Sequence, residues 1–249
     1  MAYDGPLSLQ AASALVPYLS AHNHHRFVKW GEIVLKRVTL ALLAMIVATT
    51  VVARADQRPS YNGPLSASEQ QFVKSLQATL GTRYAHESDA EAAGFFRYTN
   101  EDDTGAISFA NLHWTSASIA QPCQLWYGRD GALLGADYCE PYKPGASRPT
   151  MFGVNPGRWF EFDEHVHWIG TDPKSGKPTY DNYIMAPDFR KGGGDPENPS
   201  AATLVKMGKA KSTSSVQKIF EFPSSWDLVV WVKPNPKGAF AWKNPLVKP

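Results

Sequence analysis

The only two cysteines of this chain, Cys123 and Cys139, stand eight residues on either side of Gly131. The Asp-Gly pair at this point is a strong turn signal, because glycine adopts the positive φ angles of tight hairpin turns without strain. A hairpin turning here places the cysteines opposite each other on strands 123–127 and 133–139, within the span of a disulfide. The spacing differs from the Cys-x-x-Cys pattern of redox or zinc-binding pairs. We therefore predict a structural disulfide, which stabilises a loop of this size by about 3 kcal/mol.

Such a disulfide needs an oxidising compartment, and the N-terminal region carries an export signal. Lys36 and Arg37 precede fifteen uncharged residues, 38–52, and an Ala-x-Ala sequence ends at Ala55. This is the order of the charged, apolar and cleavage regions of a signal peptide. Fifteen residues fall short of the roughly 20 that cross a bilayer, so we predict cleavage after Ala55. The alternative is an uncleaved signal anchor at the inner membrane.

The export signal divides the chain into two parts. Residues 1–55 are interpreted as an N-terminal extension plus signal peptide, and the unusual length of residues 1–33 favours a true bacterial start at Val34 or Leu35. No linker composition interrupts residues 56–249. We therefore predict that they form a single globular domain, secreted or periplasmic.

Composition narrows the classes of function. The 249-residue chain is 43% hydrophobic and carries 25 Lys and Arg against 23 Asp and Glu, a formal net charge of +2. This balance excludes a disordered, collagen-like or polytopic membrane protein. It also lacks the net positive charge typical of nucleic-acid-binding proteins. We expect a small-molecule ligand, no nucleic acid, and no membrane contact beyond the signal sequence; nothing indicates the oligomeric state.

Helical signals are few and short. Ser66 and Glu69 have the spacing of a capping box, and an apolar stripe at helical spacing follows them as far as Gly81. Two shorter helices, each preceded by serine, are predicted over residues 89–93 and 201–207.

Extended runs rich in aromatic and β-branched residues occupy most of the remaining chain. The predicted strands are residues 95–99, 106–115, 123–127, 133–139, 158–169, 180–185, 216–222 and 226–232. Residues 228–232 are continuously apolar, which is typical of a strand covered on both faces. The predicted fold class is α+β, a mostly antiparallel β-sheet with a few short flanking helices and one disulfide-stapled hairpin.

The predicted strand 158–169 carries the main candidate site. At a period of two residues, one face of this strand would align Trp159, Glu161, Asp163, His165 and His167. Alternate side chains on a strand stand roughly 7 Å apart, so the two imidazoles could converge on one metal ion. Imidazole is a good ligand for zinc, copper and iron, and we predict one of these divalent transition metals as the cofactor.

Other residues could complete this site. His113 is the candidate third metal ligand, because it shares a predicted strand face with apolar residues that point inward. Glu161, Asp163 and Glu164 are the candidate catalytic carboxylates, which would accept a proton from metal-bound water or orient an imidazole. The simpler interpretation is that this polar strand face meets water.

Aromatic content points to a second class of function. Seven of the 8 tryptophans follow the predicted cleavage site, and exposed tryptophans commonly hold sugars or small apolar ligands. Trp159 is the candidate stacking residue. The sequence thus leaves three functions open: a metal-dependent enzyme or metal-binding protein, a non-catalytic binding module for a carbohydrate or small organic ligand, and an envelope interaction protein.

Overall fold

The computed structural model describes residues 59–248. The predicted extension, signal peptide and cleavage site all lie outside these residues. Within 59–248, no helix is both long enough and apolar enough to cross a membrane.

The first helix, α1 (Ala67–Arg83), begins as predicted. Ser66 Oγ accepts a hydrogen bond from the Glu69 N–H at 3.2 Å, and Glu69 Oε2 accepts one from the Ser66 N–H at 2.8 Å. This capping box satisfies two amide groups that the helix itself leaves unpaired. The helix continues two residues beyond Gly81, because the buried Tyr84 closes its last turn with an N–H bond to the Leu80 carbonyl.

The remaining α-helices are α2 (Glu87–Ala92), α3 (Ala186–Lys191) and α4 (Ala201–Lys206). Helix α2 starts two residues before its predicted start, since Asp89 accepts a hydrogen bond from the His86 N–H. Helix α4 has the predicted cap, in which Ser200 Oγ accepts from the Thr203 N–H. Helix α3 was not predicted; a proline in its first turn favours the helix start, and Phe189 is fully buried.

The strands form two antiparallel sheets. Their bounds are β1 (Phe96–Arg97), β2 (Ile107–Ala110), β3 (Gln124–Tyr127), β4 (Leu133–Pro141), β5 (Phe160–Phe162), β6 (His165–Thr171), β7 (Pro178–Met185), β8 (Val216–Phe222) and β9 (Ser225–Trp231). The large sheet has the order β1-β2-β3-β4-β9-β5, and the small sheet has the order β7-β6-β8. With few short helices beside them, these sheets confirm the predicted α+β class.

The disulfide-stapled hairpin is confirmed. Strands β3 and β4 pair antiparallel, and Cys123 and Cys139 are bonded with their Cα atoms 5.8 Å apart. Gly131 turns the hairpin at φ 72°, where a side chain would strain the backbone. Both cysteines are fully buried, so the bond lies inside the protein.

The sheets and helices pack in four layers. Helix α1 covers one face of the large sheet, and the small sheet packs against the other face through aromatic pairs such as Phe162 with Phe222, whose ring centres are 5.0 Å apart. Helices α3 and α4 cover the outer face of the small sheet. The apolar residues 228–231 of β9 are covered on both faces, because Leu228 packs toward α1 whereas Trp231 packs on the opposite face.

The prediction of one strand over residues 158–169 is wrong. Strand β5 pairs with β9 in the large sheet, whereas β6 pairs with β7 and β8 in the small sheet. The chain crosses between the sheets at Asp163 and Glu164, where the Glu164 carbonyl accepts a hydrogen bond from the Ala186 N–H. The predicted row of polar side chains therefore does not exist as one face.

Candidate functional site

His165 and His167 lie on the inner face of the small sheet. They are 5% and 7% exposed, and the central position of β6 places a strand on either side of them. Register puts Phe222 beside His165 and Phe220 beside His167. Each imidazole stacks on its phenylalanine, with ring centres 4.7 Å and 5.6 Å apart. These contacts fix the orientation of both imidazole rings.

Three further rings complete an aromatic enclosure of the histidines. The Tyr98 ring meets His167 edge-on at 4.9 Å, and the Phe162 ring lies 5.3 Å from His165. Tyr183, on the neighbouring strand β7, lies within 6.0 Å of both imidazoles and is 55% exposed. The histidine pair is therefore shielded from water and lies directly beneath a surface tyrosine.

The imidazole nitrogens have a definite arrangement. His165 Nδ1 lies 2.7 Å from the Asp163 carbonyl oxygen, and the two Nε2 atoms lie 2.9 Å apart. A carbonyl oxygen only accepts, so Nδ1 of His165 carries the hydrogen and its Nε2 carries a lone pair. His167 Nδ1 is buried and has no hydrogen-bond partner within residues 59–248.

Burial keeps both imidazoles neutral. It lowers the pKa of His165, although the Asp163 carbonyl and nearby carboxylate charges oppose this effect. Burial, followed by the charge of His165, lowers the pKa of His167 to about 3, with the Asn182 backbone acting in the opposite direction. Neutral imidazole is the form that binds metal ions, and both rings have this form at neutral pH.

The separation of the Nε2 atoms can be compared with metal geometry. With metal–nitrogen bonds of about 2.0–2.1 Å, two nitrogens 2.9 Å apart subtend an angle of about 90° at the ion. A tetrahedral ion would hold them about 3.3 Å apart. The pair thus fits adjacent positions of a square-planar or octahedral ion, the geometries that copper(II) and non-haem iron adopt.

His113 does not join this pair. Strand β2 ends at Ala110, Leu112 adopts a positive φ of 64°, and His113 is exposed in the following loop. Within residues 59–248, no group of three or more His, Cys, Asp or Glu side chains is placed to hold a metal ion. Among the His, Cys, Asp and Glu side chains of the described part of the chain, an ion bound here would therefore have two ligands.

Within residues 59–248, the three candidate carboxylates do not form one metal-binding group with the histidines. Glu161 lies in β5 opposite Trp226, in the other sheet. Both carboxylate oxygens of Glu164 accept hydrogen bonds from Nη2 of Arg190, at 2.7 Å and 2.8 Å. Asp163 contacts His165 through its backbone carbonyl. The geometry therefore assigns a positioning role to the Asp163 backbone and places neither glutamate in the aromatic enclosure.

Trp159 is fully buried in the core beneath α1, so it offers no surface for ligand stacking. Within residues 59–248, the exposed tryptophan is Trp242, which borders a cleft of about 540 Å³ together with Phe240 and Leu65.

Sequence reasoning missed the rings that enclose the histidines. Tyr98 follows β1, Tyr183 lies in β7, and Phe220 and Phe222 lie in β8. Their proximity depends on strand register and sheet packing. Alternation within β8 could have indicated that Phe220 and Phe222 share one face, but not which residues they meet.

No protein-family model, curated protein or solved structure matches this chain. The geometry of the site itself is therefore the basis for assigning a function.

Proposed function

We propose that this protein is exported and binds one transition-metal ion through the Nε2 atoms of His165 and His167. The observation that carries this proposal is the 2.9 Å separation of the two Nε2 atoms, combined with the Asp163 carbonyl at His165 Nδ1. A hydrogen bond from the distal nitrogen to a carbonyl is the usual device that orients a metal-binding histidine.

Without an ion, the same geometry leaves a buried imidazole nitrogen in an unfavourable state. A proton must then lie between the two nitrogens, with His167 Nε2 donating to His165 Nε2. His167 Nδ1 becomes an acceptor that is buried without a partner, which is unfavourable. A metal ion accepts both Nε2 lone pairs, so the hydrogen of His167 lies on Nδ1 instead, where the Asn182 backbone favours a ring N–H.

The coordination angle guides the choice of metal. An angle of about 90° favours copper(II) or iron over tetrahedral zinc. Two protein ligands leave further positions for water or a small-molecule substrate, which would approach beside Tyr183. A metal-dependent enzyme is the catalytic version of this proposal, with the ion lowering the pKa of bound water or binding the substrate.

Export is the second part of the proposal. The buried Cys123–Cys139 disulfide is typical of proteins that fold in an oxidising compartment. Together with the N-terminal signal in the sequence, it supports a secreted or periplasmic location.

Metal content of the protein tests the site directly. The full-length gene is expressed without a His-tag, the exported protein is purified, and copper, iron and zinc are measured by elemental mass spectrometry before and after reloading. We expect near-stoichiometric metal in the wild type and at least about tenfold weaker binding in His165→Ala and His167→Ala. His113→Ala is the matched control, because this exposed histidine should not affect uptake.

Two results would contradict the proposal. One is a wild-type protein that takes up no metal even after reloading. The other is full uptake by folded His165→Ala or His167→Ala variants. Near-UV circular dichroism checks the fold, and His167→Gln serves as a less disruptive variant if alanine prevents folding.

A second candidate function is binding of a carbohydrate or small organic ligand in the cleft beside Trp242. An exposed indole at a cleft of about 540 Å³ favours it, since rings of this kind stack on sugars. Tryptophan fluorescence titrated with a panel of sugars tests this function. A saturable change that disappears in Trp242→Ala is expected, and a flat response to every sugar counts against it.

A further inference from the structure

Asp137 and Asp227 form a second unusual cluster, on the face of the large sheet that packs against the small sheet. Asp137 lies opposite Val229 in the β4–β9 pairing, and Asp227 is two residues from Val229. Residues two apart on a strand share a face, so the two carboxyl groups are diagonal neighbours on adjacent strands. They are 6% and 1% exposed.

Few polar groups contact this acid pair. Asp137 Oδ2 accepts a hydrogen bond from Trp126 Nε1 at 3.2 Å, and Asp227 Oδ1 accepts one from Ser225 Oγ at 2.7 Å. Asp137 Oδ1 is buried without a hydrogen-bond partner in the described part of the chain. Neither carboxyl group joins an ion pair formed within residues 59–248.

Two ionised carboxylates are unfavourable in this position. Burial removes the water that would solvate the charged carboxylates, and like charges on neighbouring strands repel each other. Burial raises the pKa of Asp227 to about 7, and burial together with the charge of Asp227 raises the pKa of Asp137 well above its usual range. At least one of the two carboxylates must therefore be neutralised, either by a proton or by a bound cation.

A proton fits this position better than a metal cation. Hard cations require six or more oxygen ligands. The described residues contain no third carboxylate that could join the pair around an ion, and the rings of Trp126 and Trp231 pack on the same sheet face. A single proton needs no such ligand set.

We propose that the acid pair Asp137–Asp227 holds at least one proton in the folded protein at neutral pH, and that loss of this proton loosens the packing of the two sheets. The acid pair thus acts as a pH-dependent latch: the two sheets are held together more firmly at neutral and acidic pH than at alkaline pH.

The other titratable groups of this layer do not offset the effect. The Tyr98 hydroxyl donates to Gln124 beside Asp137, and the carboxylates of Asp102 and Asp181 add only further negative charge. His165 and His167, on the facing strand β6, are neutral. No cation among these groups compensates for ionisation of the acid pair.

The sign of the pH dependence follows from proton linkage. The folded pair keeps protons that the unfolded chain releases above about pH 4. The free energy of unfolding therefore decreases as the pH rises from about 4 through the pKa of the folded pair. The buried histidines lower the free energy of unfolding as the pH falls below about 6.5. The wild type is therefore compared with a variant that keeps both histidines.

Urea unfolding of the full chain at pH 5 and pH 8 tests the latch, with a chelator present so that bound metal does not contribute. Asp227→Asn removes one titrating carboxyl group and keeps its shape. We expect the unfolding equilibrium constant of the wild type, relative to that of Asp227→Asn, to rise at least about tenfold between these pH values. Glu91→Gln, which removes an exposed carboxyl group of α2, should follow the wild type.

Parallel pH profiles of the wild type and Asp227→Asn would overturn the proposal. If the variant does not fold, ¹³C NMR of the aspartate carboxyl carbons in the wild type decides the question. At least one protonated aspartate at pH 6 supports the latch, and complete ionisation of all aspartates by pH 5 overturns it. Calcium that stabilises the wild type at pH 8 but not Asp227→Asn would also overturn it, because the pair would then hold a cation.

Discussion

The backbone carbonyl oxygen of Asp163 lies 2.7 Å from Nδ1 of His165, at the point where the chain crosses from the large sheet to the small sheet. This contact sets the tautomer of His165 and directs its Nε2 lone pair toward His167. The crossover that breaks the predicted strand therefore also orients the candidate metal ligand.

Because the hydrogen bond to Nδ1 comes from the Asp163 backbone, Asp163→Asn keeps this contact and removes the side-chain charge that raises the pKa of His165. We expect Asp163→Asn to change metal affinity by less than about tenfold. By comparison, substitution of a residue whose side chain hydrogen-bonds to a metal ligand typically lowers metal affinity about 10-fold to 100-fold. Competition with a chromogenic chelator measures this affinity. A larger loss, in a variant with a wild-type circular dichroism spectrum, would mean that the carboxylate itself takes part.

The buried histidines should make the metal-free protein sensitive to acid. Their lowered pKa values mean that the unfolded chain binds protons below about pH 6.5 that the folded chain does not. We expect the wild type to lose roughly 1 kcal/mol per pH unit between pH 6 and pH 4, relative to His167→Gln. Urea unfolding across this range measures the difference. Equal pH slopes in the two proteins would show that His167 is not held neutral by burial.

The disulfide should resist reduction until the protein unfolds. Both cysteines are fully buried, so a reducing agent should release no thiols from the native protein and two after denaturation. We expect the double variant Cys123→Ala/Cys139→Ala to lose about 3 kcal/mol of stability. Thiol titration tests the resistance to reduction, and urea unfolding tests the loss of stability. Rapid reduction of the native protein would contradict the predicted resistance.

The buried ion pair between Glu69 and Arg158 should be a main anchor of α1. Arg158 Nε lies 2.6 Å from Glu69 Oε1, and its guanidinium also donates to the Gly63 carbonyl. Removal of one partner leaves a buried charge uncompensated, so we expect Glu69→Ala to cost about 3–5 kcal/mol. Thermal and urea unfolding measure the loss. Glu91→Ala, at an exposed position of α2, is the control and should change stability by less than about 0.5 kcal/mol.

Export should leave a defined N-terminus. Cell fractionation and N-terminal sequencing are expected to find a mature chain that begins at Asp56 in the exported fraction. An exported chain that keeps residues 38–52 would favour the signal anchor instead. Retention of the whole protein in the cytoplasm would contradict the export prediction.

Several local features were predictable because their causes lie within a few residues. Ser66 and Glu69 cap α1 through contacts three residues apart, and Gly131 sets the register that joins Cys123 to Cys139. Strand β8 has the predicted bounds, since its aromatic and β-branched residues favour a strand. These interactions require no knowledge of distant parts of the chain.

The candidate site was predictable only in part. The spacing of His165 and His167 indicated that the two imidazoles share a face, and they do. The sequence could not place Trp159 in a separate core or His113 in an exposed loop, because both depend on where the chain leaves a sheet. The apolar face of residues 158–169 is interrupted only at Glu164, and one polar residue does not show that the backbone changes partners there.

The sequence alone determined the local elements of this protein: the capped helix, the stapled hairpin, the antiparallel strands and the paired histidines. Tertiary structure alone decided that these strands form two sheets, that aromatic rings from other strands enclose the histidines, and that Asp137 and Asp227 are buried as neighbours. The physical reason is range. Caps, turns and alternation act over a few residues, whereas burial and charge proximity depend on which distant strands pair and which faces pack together.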